Sequence, residues 1–397
     1  MAKRKTEEAY SNWDDQHMSA FGGHPLHMAV AALRAEAVGE GAAPGSGLAE
    51  LGVTDAEQLV ALANHEENFN RLADTLNISK TELEGIVKEA RAILPASIAA
   101  EMSQPLPPLF PLGAVEPPDG PAPPRGEIEF DAVAASLPTS VNLIANMSAI
   151  RNQGARGTCV SFTLTAINEY VRRVQGTPRD FSEQHLYHEI KLIDGSSACG
   201  TWQRVGAQVL NRRGQCRETI WPYNPNLPCN NNGTLPGNAR TDALRFKLSL
   251  VALTPTNVLQ IKSALARQQP VGISIPVFNS WYSSPETRRS GRITMPLSGD
   301  PQVGGHAICA VGYQDEASSP GGGYFIVRNH WSTSWGNQCP YGQGYGTIPY
   351  QYLSSYNWEA YTLAAPVSAD DEPEPAEDEP KRTVTITIRG NVNLVIE

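Results

Sequence analysis

Cys159, His306 and Asn329 are the side chains whose types and surroundings suit acyl chemistry. Cys159 follows the turn-rich stretch Asn152-Gln153-Gly154-Ala155-Arg156-Gly157-Thr158. It precedes Val160, Leu164, Ile167, Val171 and Val174, whose alternating steps of four and three mark one face of a helix. A helix N-terminus carries unpaired N–H groups and a partial positive charge, and both favour a thiolate nucleophile over a thiol. His306 begins the strand-like run HAICAVGY, and Asn329 ends the run YFIVRN. Between them, 314–323 contains Asp315, Pro320 and three glycines, a turn signal. Pairing of the two runs as a hairpin brings His306 beside Asn329 at one end of a sheet. The amide then accepts from one imidazole nitrogen and leaves the other to face a nucleophile. Taken singly, each residue has a bland reading: a structural cysteine, a satisfied histidine, an asparagine in a turn.

The 397 residues are enough for two or three domains, within which these positions must be held. Residues 1–50 are weakly patterned and rich in Gly and Ala, so partial order is expected. In 51–94, Thr54 with Glu57 and Ser79 with Glu82 read as capping boxes opening short amphipathic helices, and Pro95 stops the last. This small helical module reads as a packing or docking unit. Residues 95–126 carry nine prolines between Pro105 and Pro124 and read as a semi-rigid extended linker, open to proteolytic separation. The main domain spans 127–365, helical in its first half and strand-like in its second (271–277, 306–313, 324–329), which predicts an α+β fold with segregated halves. An acidic linker follows at 366–380. The alternation in TVTITIRGNVNLVIE then predicts a β-hairpin over 381–397.

Four ordered segments resemble the papain-like cysteine peptidases (peptidase family C1), in a divergent, bacterial-type form. Gln153-Gly154-Ala155-Arg156-Gly157-Thr158-Cys159-Val160-Ser161-Phe162 is similar to the family's cysteine segment, and Phe181-Ser182-Glu183-Gln184 to the segment that follows it. Gly305-His306-Ala307-Ile308 and Val327-Arg328-Asn329-His330-Trp331-Ser332-Thr333-Ser334-Trp335-Gly336 are similar to its His and Asn segments. The resemblance implies a two-lobe fold, a helical lobe plus a β-barrel-like lobe with the cleft between them. It implies Cys159 as nucleophile, His306 as base and later acid, and Asn329 as the group orienting the imidazole under Trp331. Gln153 and the Cys159 amide would form the oxyanion hole, worth about 3 kcal/mol per donor. Gly200, Gly305 and Trp331 are the expected substrate-binding positions. Some family features are missing. Arg156 replaces the cysteine usually bridged three residues before the nucleophile, Val160 the usual aromatic, His330 the usual Ser, and Ser332 the usual Gly.

A cysteine endopeptidase acting on polypeptides is therefore expected, made as a precursor if the N-terminal module and linker are removed. Two alternatives stay open: a silent peptide-binding scaffold with the same cleft, and an acyl-transfer or deamidase effector of the same fold. The net charge of −10 argues against general nucleic-acid binding, since no basic surplus exists to neutralise phosphates. The apolar stretch at 28–33 is too short to span a bilayer. No apolar segment follows the basic N-terminal residues, so no secretory signal is evident; the cytoplasm or export by a signal-less route is expected. Docking partners are envisaged for the N-terminal helices or the C-terminal hairpin. Of the six cysteines, Cys216 and Cys229 bracket a turn-rich loop and are candidates to bridge, Cys309 reads as a core thiol, and Cys199 and Cys339 have no assignable partner. No CxxC pair or His cluster along the chain supports zinc, and no metal or cofactor is expected.

Overall fold

The computed structural model describes residues 45–104, 110–120 and 137–366. The part of the 1–50 expectation that covers 1–44, the linker expectation for 105–109 and 121–126, and the acidic linker and terminal hairpin beyond 366 lie outside these residues. Residues 45–50, expected to be weakly ordered, instead form a helix with Leu48 in the core. In chain order the helices are α1 (Gly45–Glu50), α2 (Ala56–Ala63), α3 (Glu66–Leu76), α4 (Lys80–Ile93), α5 (Ala96–Glu101), α6 (Cys159–Val174), α7 (Glu183–Asp194), α8 (Gln203–Arg212), α9 (Ala239–Ala243), α10 (Val258–Ala266), α11 (Asn279–Tyr282), α12 (Pro285–Ser290) and α13 (Tyr350–Tyr356). The strands are β1 (Ser140–Asn142), β2 (Leu250–Ala252), β3 (Val271–Phe278), β4 (Gln302–Asp315), β5 (Gly323–Arg328), β6 (Tyr345–Pro349) and β7 (Glu359–Leu363).

The strands form one antiparallel sheet in the order β2-β7-β3-β4-β5-β6, with β1 added to β4. The fold is papain-like and α+β, but among the described residues the sheet stays open rather than closing into a barrel. Helix α6 packs on β3 and β4, and α7 and α8 pack around it to make the helical lobe. Val160, Leu164, Ile167 and Val171 are buried, as the four-three spacing requires. Across the lobes, the buried Glu359 carboxylate on β7 accepts from the backbone N–H of Gln203 (2.7 Å) and Arg204 (3.1 Å), occupying the N-terminus of α8.

The N-terminal helices do not stand apart. Leu48, Leu51, Leu59, Leu72 and Leu83 belong to the same continuous core as the strands. A buried Arg292 guanidinium joins the module to the sheet lobe, pairing with Asp55 and with Glu286 (3.0 Å). Ser79 and Glu82 form the expected capping box. At α2 the cap is Asp55 rather than Thr54, its side chain accepting from the Gln58 amide at 3.0 Å. A carboxylate there both caps the helix and forms an ion pair with Arg292, whereas the Thr54 hydroxyl offers that guanidinium only a neutral acceptor at 3.3 Å. Within the stretch expected to be an extended linker, α5 forms in the proline-free run after Pro95, which occupies its N-cap position without a side-chain cap.

Candidate active site

The loop before α6 sets the thiol. Gly154 turns the chain at a φ of +62°, and its amide is accepted by the Asn152 side chain at 2.9 Å. Thr158 is the N-cap residue of α6, with its hydroxyl 2.7 Å from the Tyr223 hydroxyl, which itself donates to the Gln153 carbonyl at 2.8 Å. Cys159 thus occupies the first helical position, fully buried. The Gln153 backbone N–H donates to the His330 carbonyl at 3.0 Å, and Asn152 bridges to Trp331, so the cysteine loop is tied directly to the other lobe.

His306 lies within β4, which begins four residues earlier than the expected strand, and Asn329 directly follows β5. The register pairs Cys309 with Arg328, which leaves His306 and Asn329 side by side. His306 Nε2 is 3.0 Å from Asn329 Oδ1, which also accepts the His330 backbone N–H at 2.8 Å. An oxygen accepting twice fixes the tautomer: Nε2 carries the proton, and the buried Nδ1 keeps its lone pair. Cys159 Sγ and a ring nitrogen of His306 lie within 4.8 Å of each other. The Trp331 ring lies over His306, with centroids 4.2 Å apart and planes 22° apart.

Residues 110–116 pass through the cleft as a strap that the sequence did not place there. The Phe110 ring enters an aromatic pocket lined by Trp281, Tyr282, Trp331 and Trp335, with Arg288 over its face. Gln153 Nε2 donates to the Pro111 carbonyl at 3.2 Å and to the Arg156 carbonyl at 2.6 Å. Gly113 and Ala114 both donate to the Gly305 carbonyl, each at 3.0 Å. Farther on, Val115 donates to the Thr201 carbonyl and Thr201 to the Gly113 carbonyl, each at 3.0 Å. Only glycine fits this crossing: a Cβ on Gly113 would lie 2.0 Å from the Gly157 carbonyl oxygen. At Gly200 a Cβ would lie 2.4 Å from Val115 Cγ2. Gly200, Gly305 and Trp331 therefore all border the strap, with Thr201 making the backbone bonds beside Gly200.

Burial governs the electrostatics. It pushes the Cys159 thiol up to about 12, against the opposing pull of the Ala307 and Gly113 N–H groups. It pushes His306 down to about 3, opposed by the hydrogen bond to Asn329. The covered pair is a neutral thiol and a neutral imidazole.

The family profile described as "Papain family cysteine protease" matches residues 137–351, just over half of the chain. The chain belongs to the papain family of cysteine proteases. An uncharacterized peptidase C1-like protein of Acanthamoeba polyphaga mimivirus is 26% identical over 215 residues, covering 52% of this chain and 66% of that protein. Papain of Carica papaya is 24% identical over 189 residues, covering 47% of this chain and 48% of that one. Among solved structures, xylellain, a cysteine protease from Xylella fastidiosa, is 25% identical with a TM-score of 0.51, covering 66% of this chain and 98% of that chain. The chain spans about two-thirds or less of the length of the curated relatives it matches.

Where this papain-family chain departs from the usual pattern, the structure shows what replaces it. Arg156 is buried, donates to Gln184 Oε1 (2.8 Å) and the Asn224 carbonyl (3.0 Å), and lies over the Tyr187 and Tyr223 rings. It braces the cysteine loop to α7 without a covalent bond there. Ser332 takes a φ of +61°, and its hydroxyl accepts the Ser334 amide at 3.1 Å. The disulfide joins Cys199 to Cys229, while Cys216 is a free, buried thiol packed against Ala239 and Ala243. The expected Cys216–Cys229 bridge fails because the fold, and not the intervening loop, decides which sulfurs meet.

Proposed function

We propose that the chain is a cysteine endopeptidase held as a precursor by its own strap. The observation that carries this reading is the Pro111 carbonyl on Gln153 Nε2, directly beside the Cys159–His306–Asn329 set. When a substrate peptide takes the strap's place, Cys159 Sγ attacks its carbonyl carbon and His306 Nδ1 takes the thiol proton. The carbonyl oxygen becomes an oxyanion facing Gln153 Nε2 and the Cys159 amide. His306 then returns the proton to the leaving amine, and water hydrolyses the thioester by the same relay. Asn329 Oδ1 holds the imidazole throughout. The carbonyl of Gly305 and the backbone beside Gly200 supply hydrogen bonds for an extended substrate, and Trp331 walls the cleft.

Truncation to residue 127 would strip the helices that share the core, so point variants make the cleaner test. An epoxide inhibitor of papain-family enzymes, followed by peptide mass spectrometry, is expected to label Cys159 slowly in the full chain and faster in Phe110→Ala. The label is expected to disappear in His306→Ala, and Phe110→Ala is expected to cleave an unstructured polypeptide. Absence of both labelling and cleavage in Phe110→Ala overturns the peptidase reading in favour of a silent scaffold. Equal labelling rates in the two proteins overturn the precursor reading alone.

A further inference from the structure

A second imidazole shares the pocket of the thiol. His330 is buried to 1% exposure, stacks on Phe162 with centroids 5.5 Å apart, and lies 4.9 Å, centroid to centroid, from His306. Its Nε2 is buried with no hydrogen-bond partner, and so is His306 Nδ1. Leaving a buried polar atom unpaired is expensive, roughly 1–3 kcal/mol each. Cys159 Sγ and one nitrogen from each imidazole all lie within 4.8 Å of one another. Spacing along the chain conceals this cluster, since the β4–β5 pairing and not a local motif brings His306 and His330 together.

We propose that Cys159, His306 and His330 form a zinc-binding site that reversibly silences the enzyme. One thiolate and two neutral imidazoles are a ligand set that zinc favours, with water completing the tetrahedron. With Zn–S near 2.3 Å and Zn–N near 2.0–2.1 Å, tetrahedral ligand atoms stand about 3.4–3.6 Å apart. The three side chains therefore have to close by about 1 Å, within reach of small side-chain rotations. Binding replaces the S–H bond by a Zn–S bond and releases that proton to solvent. It takes up the thiolate and the His306 Nδ1 lone pair together, so nucleophile and base are both withdrawn. His306 keeps its Nε2–H on Asn329 Oδ1, the outer hydrogen bond that fixes a metal-bound imidazole. His330, where the family pattern usually has Ser, is what turns a thiol–imidazole pair into a three-ligand site. Zinc binding here requires no peptide turnover.

Cobalt titration of the full chain, followed by zinc competition, tests the site. The wild type is expected to show a thiolate-to-cobalt charge-transfer band and the visible bands of tetrahedral cobalt, both abolished by zinc. Because the strap covers the pocket, Phe110→Ala is titrated in parallel. Absence of the band from both proteins overturns the proposal. Cys159→Ser is expected to lose the charge-transfer band, and retention of it there overturns the assignment of the sulfur. His330→Ser and His330→Gln are each expected to weaken cobalt and zinc binding at least about tenfold. Unchanged affinity in either overturns the three-ligand site, as does a loss confined to variants whose thermal melts show them unfolded.

Discussion

Phe110 lies flat on Trp331, with ring centroids 4.6 Å apart and planes 4° from parallel. Trp331 in turn covers His306, so the strap, the indole and the imidazole form one stack. The tightness of the closed cleft is expected to depend on a single half-buried aromatic side chain more than on the hydrogen bonds around it. Backbone bonds to Gly305 and Thr201 are exchanged for water when the strap lifts, whereas the buried ring face is lost outright.

Replacing Phe110 by alanine is expected to shift the strap toward the open state by about 1.5 kcal/mol, roughly tenfold in population. The second-order rate of Cys159 labelling measures this, and it is expected to rise by about that factor. A rate within twofold of wild type means that the ring does not hold the strap.

Closure is also expected to depend on pH. Burial holds His306 near 3, against about 6.5 in water, so an open state in which lifting the strap hydrates the ring binds more protons between these values. The covered state therefore weakens as pH falls below about 6.5. Burial holds Cys159 near 12, against about 9 in water, so to the extent that lifting the strap hydrates the thiol the covered state also weakens as pH climbs above about 9. Closure is strongest between these limits. A labelling pulse at each pH, expressed as the ratio of wild type to Phe110→Ala, removes the intrinsic reactivity of the thiol. The ratio is expected to climb toward one below pH 6.5, and a flat ratio refutes the linkage.

Gln153→Ala removes the side-chain donor to the position taken by the Pro111 carbonyl. In a Phe110→Ala background, kcat is expected to fall about 100- to 1000-fold with KM changing little. A change confined to KM would make Gln153 a substrate contact and not part of an oxyanion hole.

Asp55→Ala leaves Arg292 with the Glu286 carboxylate and the Thr54 hydroxyl but without its charged partner from the helical module, and also removes the cap of α2. Breaking a buried pair costs about 3 kcal/mol or more, which lowers Tm by roughly 6–12 °C in a domain of this size. A melt within 1 °C of wild type would show that the module is not anchored through this pair.

The meeting of Cys159, His306 and Asn329 was legible in the sequence because the elements that carry them are local. Cys159 opens a helix whose face is written in its spacing, and the hairpin that joins His306 to Asn329 has readable strands and a readable turn. Features made by distant segments meeting were not legible. A proline-rich run states that it is extended, yet nothing in Phe110-Pro111-Leu112-Gly113 states which groove it fills. Cys199 and Cys229 meet because the fold brings their loops together. Arg156 announced the loss of a usual cysteine, but its replacement of that link needed Gln184, Tyr187 and Tyr223 from other segments. His330 read as a minor departure until β4 and β5 placed it against His306. Closure of the sheet, expected from the resemblance, also depends on pairing that no single strand encodes.

The strap is continuous with the chain on both sides, leading from α5 before it and toward β1 after it. Its grip on the cleft is consequently an intramolecular binding event, governed by effective concentration as well as by the strength of its contacts. A short tether of this kind presents its ligand at an effective concentration on the order of millimolar. One cut on either side leaves the other tether in place, so the peptide returns to the cleft each time it leaves. Two cuts turn it into a free peptide at the concentration of the protein itself, and at micromolar protein that dilution alone lowers the ratio of filled to empty clefts about a thousandfold. Activation by proteolysis would therefore behave as a coincidence detector, responding steeply to the second cleavage and weakly to the first.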